Sequence, residues 1–442
     1  MRAVPRSVAP ETAIPFAIAL TLVAFACGSS SVPRITSAGH GARWALLVVL
    51  AVVALAACRS QGRRPRVRAW TAAWVLVGVG VLSAAWSVDP KLTFERAVSL
   101  ALLFVAAALV CTACRTEWIF EGLLGGAAAV AVLGLAVLAV DHKAAVQPGS
   151  TGVPPRFRGL GQSANTSSLL FGLVLPLSVW LTFTRRDARG RALGVAAFLL
   201  LDGSIVASGS RGALLGGFVG AAVFALALAG MRTRVAALAA LAVLFAVSFA
   251  IGTLPQPLKH GHPRAASLTP PSHPKPGYLD ANVVFPLTDD IGRPVPGAGE
   301  TFGRREAFGS SGRTAAWRGA LHQAAQRPVV GYGFGTEDDV FVNRYHLFAG
   351  GVPENSYIGI VLQLGAVGLA LFLVTLAWWL GRGVRALRGP ERLALAAAGA
   401  VTVGALAAAV VQSYVWSVGD IATGTFWIAA FLVAERATRP LR

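Results

Sequence analysis

The chain has 442 residues, 55% of them hydrophobic and only 13% charged. Soluble domains carry roughly a quarter charged residues, so the composition excludes a soluble enzyme and points to an integral membrane protein. Lys and Arg number 39 against 20 Asp and Glu, a net charge of +19, but membrane proteins concentrate Lys and Arg in cytoplasmic loops, and nucleic acid is not expected as a partner.

A hydrocarbon core about 30 Å thick takes roughly 20 apolar residues per helix, and about twelve such segments recur. The first six fall near 12–27, 44–58, 69–86, 97–113, 118–140 and 164–183. Three more fall near 192–207, 212–230 and 235–251, and the last three near 356–380, 393–415 and 421–434. The basic loops "RSQGRRPRVR" (59–68), "RRDARGR" (185–191), "MRTR" (231–234) and "GRGVRALRGPER" (381–392) share one face with the tail "RATRPLR". The positive-inside tendency makes that face, and both termini, cytoplasmic. Residues 1–251 then hold nine transmembrane helices, 252–353 form one large extracytoplasmic loop, and 354–442 hold three more helices.

In the first span, "AFAC" (24–27) resembles a signal-peptidase site. An uncleaved helix is the expectation, because multispanning proteins rarely need a removable signal. Cys111 and Cys114 in "CTAC" have CxxC spacing, but a membrane helix end without a second Cys or His pair is a poor metal or redox site. No metal or cofactor is expected.

Along the outer face, "PPRFRGLGQSANTSSLLF" brings Arg156 and Arg158 to the start of the sixth span. Helix capping explains Asn165, Thr166 and Ser167 but not the two arginines. Arg211, in "ASGSRGALLGGFVGA", opens the eighth span, where membrane boundary and helix dipole both disfavour a cation. Such an arginine either snorkels to lipid head groups or is fixed to hold phosphate. Gly212, Gly216 and Gly220 follow at four-residue spacing and let a neighbouring helix anchor this start rigidly, which favours the second reading.

The loop 252–353 has two parts. Its proline-dense first part reads as an irregular strap, in which His260, His262 and His273 are solvated. The second contains "SSGRTAAWRGALHQAAQRP" (310–328), an amphipathic helix with Trp317, Ala320, Leu321 and Ala324 on one face, expected to lie on the membrane. Arg313 stands at its start, unfavourably for the dipole, and an anion ligand there fits better than a merely solvated arginine. Gly331, Gly333 and Gly335 in "VVGYGFGTEDDVF" read as a tight turn and not as a nucleotide loop. Glu354 and Asn355 in "VPENSYIGIVLQLGAVG" suffice to start a helix, an acidic residue suiting the dipole and Asn the cap.

Taken in order, "SAAWSVDPKLTFERA", "RFRGLGQSANTSSLLFGLVLPL", "SGSRGALLGG", "GRTAAWRGAL", "RPVVGYGFGT" and "ENSYIGIVLQLGAVG" resemble the O-antigen ligase and O-antigen polymerase family of bacterial membrane glycosyltransferases. The resemblance implies a GT-C-like, all-α fold in the cytoplasmic membrane and an extracytoplasmic active site. The implied donor is a glycan on undecaprenyl diphosphate, transferred to a lipid or saccharide acceptor as in lipopolysaccharide or exopolysaccharide biosynthesis. Arginines matching Arg211 and Arg313 would hold the diphosphate, with Arg156 and Arg158 as further outer cations. Where many ligases have His-Asn this chain has Glu354-Asn355, so Glu354 would be the base, with Asn355 orienting it and His346 the alternative imidazole. Ligase and polymerase both stay open at this point. A lipid-linked glycan flippase is the rival from another class, disfavoured because transporter sites lie near the bilayer midplane.

Overall fold

The structure is a computed structural model that describes residues 10–64, 67–148, 155–253, 313–341 and 352–437. The proline-dense strap and His346 lie outside the described residues.

Each of the twelve expected spans falls on a helix. In chain order these are α1 (Ile14–Gly28), α2 (Pro33–Ser60), α3 (Val67–Leu82), α4 (Pro90–Ala113) and α5 (Thr116–Val140). A one-turn α6 (His142–Ala145) and a two-residue antiparallel pair, β1 (Val146–Gln147) with β2 (Arg156–Phe157), precede α7 (Ala164–Thr184). Then come α8 (Ala188–Ser208), α9 (Arg211–Leu226), α10 (Met231–Thr253), α11 (Arg313–Ala324), α12 (Glu337–Val340), α13 (Ser356–Ala386), α14 (Arg392–Ala408) and α15 (Ile421–Ala437). Nine of the described helices are long and apolar enough to cross a membrane. The helices α3, α9 and α15 have 16, 16 and 17 residues, about 25 Å at the α-helical rise.

Helix α7 is buried over most of its length and α15 over nearly all of it, whereas α10 buries only Ala237, Leu241 and Ser248. A helix apolar on every side belongs either inside a bundle or against lipid; α7 and α15 form the centre, and α10 stands at the rim.

The glycines after Arg211 act as anticipated. A Cβ on Gly216 would stand 2.7 Å from the carbonyl oxygen of Gly404, and one on Gly220 2.7 Å from that of Ala400. Helices α9 and α14 therefore meet backbone to backbone, the approach that small residues permit in membranes. On its other flank, α9 presses the carbonyl of Ala213 against Gly172 of α7. The start of α9 is wedged between α7 and α14.

Three expectations need correction. The span near 393–415 ends earlier: α14 stops at Ala408, and an irregular turn runs to α15. The span near 356–380 is broken, because Gly365 has φ +62° and ψ −161° inside α13. Residues 328–333 fill the break. The Ala366 and Val367 amides donate to the Pro328 and Val329 carbonyls at 2.8 and 3.2 Å, while those of Tyr332 and Gly333 donate to Leu362 and Gln363 at 2.9 and 2.8 Å. Buried backbone groups freed by a break must find partners, and the glycine turn of "VVGYGFG" supplies them, with Gly331, Gly333 and Gly335 all at positive φ.

The third correction concerns α11, which packs on protein. Its inward stripe is Ala316, Ala320 and Ala324, set against Tyr332, Val340, Phe341 and Leu362. Leu321, expected on that face, is 50% exposed. Trp317 Nε1 donates to the Pro353 carbonyl at 2.9 Å, tying α11 to the start of α13.

Candidate functional site

One end of the bundle gathers β2, the starts of α7, α9, α11 and α13, the end of α8, and the turn between α14 and α15. At its centre an Arg313 nitrogen lies 3.7 Å from Glu354 Oε2, with the two side chains only 18% and 21% exposed. That is an ion pair too long for a hydrogen bond. Glu354 Oε2 and Arg313 Nε are both shielded from solvent and make no hydrogen bond among the described residues. Burial pushes the Glu354 carboxyl up from its ordinary range, opposed by the charges of Arg313 and Arg156.

Glu354 also has φ +53°, the only non-glycine residue at positive φ among those described. An L-residue held there carries strain that the surroundings must enforce, and such residues concentrate at functional sites. Asn355 follows in extended conformation, and its side-chain oxygen accepts from the Tyr357 and Ile358 amides at 3.0 and 3.1 Å. It caps α13. Its influence on Glu354 passes through the main chain.

The other arginines separate into two groups. Arg156 donates to the Ser208 carbonyl at 2.6 Å and to Asn165 Oδ1 at 2.7 Å, which sets it beside the end of α8, close enough for its charge to act on Glu354. Arg211 sits two residues beyond the left-handed Gly209 that ends α8, and the charge of Arg313 acts on it. Arg156, Arg211, Arg313 and Glu354 thus form one electrostatic cluster. Arg158 faces another way: its guanidinium donates to the Ala144 and Lys143 carbonyls at 2.8 and 3.1 Å, fastening the β2 segment to α6. The strand ends at Phe157, so Arg158 lies beyond it and escapes the alternation under which residues two apart share a face.

A second carboxyl, Glu337, lies deeper. It is 6% exposed and accepts from Ser413 Oγ at 2.8 Å and from Gln363 Nε2 at 3.1 Å. Burial raises it to about 7 against the pull of the Ser413 hydrogen bond, with the charges of Asp338 and Glu354 adding to the rise. Asp420, between α14 and α15, accepts from the Ala422 amide at 2.7 Å. It too is raised to about 7 by burial, opposed by that hydrogen bond, with the charge of Glu354 adding. Among the described residues, no group of three His, Cys, Asp or Glu side chains is placed to hold a metal ion.

Sequence reasoning passed over Glu337, Gln363, Ser413 and Asp420. "TEDD" carries no signal of its own beside the glycine turn, and residues 413–420 straddle the end of an expected span. Gln363 gave the usable signal, since a polar amide inside an apolar span is costly unless partnered.

Long apolar helices, with arginines and partly buried carboxyls collected at one bundle end, define a multi-pass membrane protein with a charged terminal site. The family model described as O-antigen ligase matches residues 195–373, a stretch that includes Arg211, Arg313, Glu337, Glu354 and Asn355. That stretch is similar to the O-antigen ligase family. Arg156 and Arg158 precede the matched stretch. No curated protein matches the chain.

Proposed function

We propose that the protein is an O-antigen ligase-type transferase, moving a glycan from undecaprenyl diphosphate to a lipid or saccharide acceptor at the outer face of the cytoplasmic membrane. The observation that carries this reading is the half-buried Arg313–Glu354 pair, with the charges of Arg156 and Arg211 acting on it, inside the family-matched stretch.

Guanidinium groups bind phosphate oxygens in bidentate fashion, so Arg211 and Arg313 hold the donor diphosphate. As Arg313 turns to phosphate, Glu354 loses its counter-charge while still shielded from water, and its basicity rises. Glu354 accepts the proton of the acceptor hydroxyl as that oxygen bonds to the anomeric carbon. The bond from the same carbon to the diphosphate oxygen breaks on the opposite face, inverting the centre. Undecaprenyl diphosphate departs as an anion stabilised by the arginines, and Glu354 returns its proton to solvent. Because the arginines supply the neutralising charge, transfer proceeds with a chelator present.

The test is a vesicle assay with carrier-linked glycan and acceptor. Wild-type protein forms a new glycosidic bond, and Arg211→Ala and Glu354→Ala insert normally but form none. Full activity in both variants sinks the proposal, and donor movement across the vesicle without a new bond assigns a transporter instead. A product in which a second carrier-linked glycan is the acceptor assigns the polymerase branch.

A further inference from the structure

Glu354 requires something to hold it at φ +53°, and its own helix does not. Asn355 caps α13 but leaves the preceding peptide unit unfixed. That peptide's amide, Asn355 N–H, donates to Ser413 Oγ at 3.0 Å. Having accepted there, Ser413 donates its one proton to Glu337 Oε1 at 2.8 Å. On the other side, the Gly335 amide donates to Gln363 Oε1 at 2.8 Å. This fixes the amide orientation of Gln363, whose Nε2 faces Glu337 Oε2 at 3.1 Å. With Glu337 ionised the direction of every donor is settled, and both chains of donation end on one carboxylate.

The space for that carboxylate is equally specific. A Cβ on Gly359, in the first turn of α13, would stand 2.5 Å from Glu337 Oε1. Only glycine lets the helix lie against the carboxylate. Three segments separated in sequence, 335–337, 355–363 and 413, converge on Glu337, and one of them sets the peptide plane beside Glu354.

We infer that Glu337 is a positioning residue for Glu354, pinning the Glu354–Asn355 peptide through the Ser413 hydroxyl. The inference rests on the proposed role of Glu354 as base. The charged groups around Glu337 are Asp338 on its own turn, Glu354, and Arg96 from α4, and their charges act on it.

The test uses the full chain in lipid vesicles with carrier-linked glycan and acceptor. Glu337→Ala should lower kcat about 100-fold, the scale of a misplacement near 1 Å, with donor KM little changed. Ser413→Ala, which deletes only the bridging hydroxyl, should lower kcat in the same way. Glu337→Gln should recover to within roughly fivefold of wild type, since its amide still accepts from Gln363 and donates to Ser413 with the hydroxyl reversed. Wild-type kcat in Glu337→Ala overturns the inference, as does equal loss in the Ala and Gln variants or a loss that appears in donor KM instead of kcat. Glu354→Gln serves as the control: an active Glu354→Gln overturns the base itself, whereas an inactive one beside a fully active Glu337→Ala overturns only the role of Glu337.

Discussion

The left-handed backbone at Glu354 makes a prediction about stability that is separate from activity. Glu354→Ala and Glu354→Gly both delete the carboxylate and both leave Arg313 without its partner, so any difference between them reports the backbone. A Cβ in the left-handed region costs about 1–2 kcal/mol. Glycine is relieved of that strain but loses more freedom on folding than alanine, by about 0.5–1 kcal/mol. The glycine variant should therefore be the more stable of the two by roughly 0.5–1 kcal/mol. For a chain of this size that raises the unfolding midpoint by on the order of 1 °C, so denaturant or protease titration of matched vesicle or micelle preparations is the sharper measurement. Neither variant should transfer glycan. An alanine variant equal to or more stable than the glycine variant would refute the claim that Glu354 is held under strain.

Further outcomes follow from the site and its support. Arg211→Lys should leave transfer about 100-fold or more below wild type, because an ammonium cannot reproduce bidentate phosphate binding; steady-state rates at saturating donor check this. Arg158→Ala should change the unfolding midpoint more than the rate, since its partners are the Lys143 and Ala144 carbonyls. Gly216→Leu should drive α9 from α14 at a cost of about 1–3 kcal/mol, read as lower recovery of folded protein and a lower midpoint. Burial raises Glu337 from 4.5 and Asp420 from 3.8, each to about 7. The folded protein thus binds protons that the unfolded chain has released, so this contribution to stability is full in acid and declines as pH rises from about 4 to 7. The midpoint should fall across that window, and Glu337→Gln should flatten the fall.

Much of the helical layout was legible because bilayer thickness dictates segment length and leaves few ways to satisfy backbone polar groups. The arginines were legible for a related reason: a cation at a helix start opposes the dipole, so Arg211 and Arg313 stood out. What that test cannot tell is where a guanidinium turns. Arg156 and Arg158 look alike in sequence, yet one joins the Glu354 cluster and the other fastens a loop. The break at Gly365 was hidden because its replacement hydrogen bonds come from residues 328–333. No periodicity within "IGIVLQLGAVG" records a partner some thirty positions away. Glu337 was hidden for a similar reason, since a carboxyl in an acidic cluster reads as solvated until Ser413 and Gln363 are found against it.

The break in α13 divides labour within one helix. Below Gly365 the first amides are satisfied by Pro328 and Val329, so that half is terminated and anchored without drawing on the residues above it. Above it, nine residues from Ser356 to Leu364 answer to the glycine turn, α11 and the 412–414 segment. The half that leads into Glu354 and the half that packs Phe372, Leu376 and Trp379 into the bundle are therefore anchored separately.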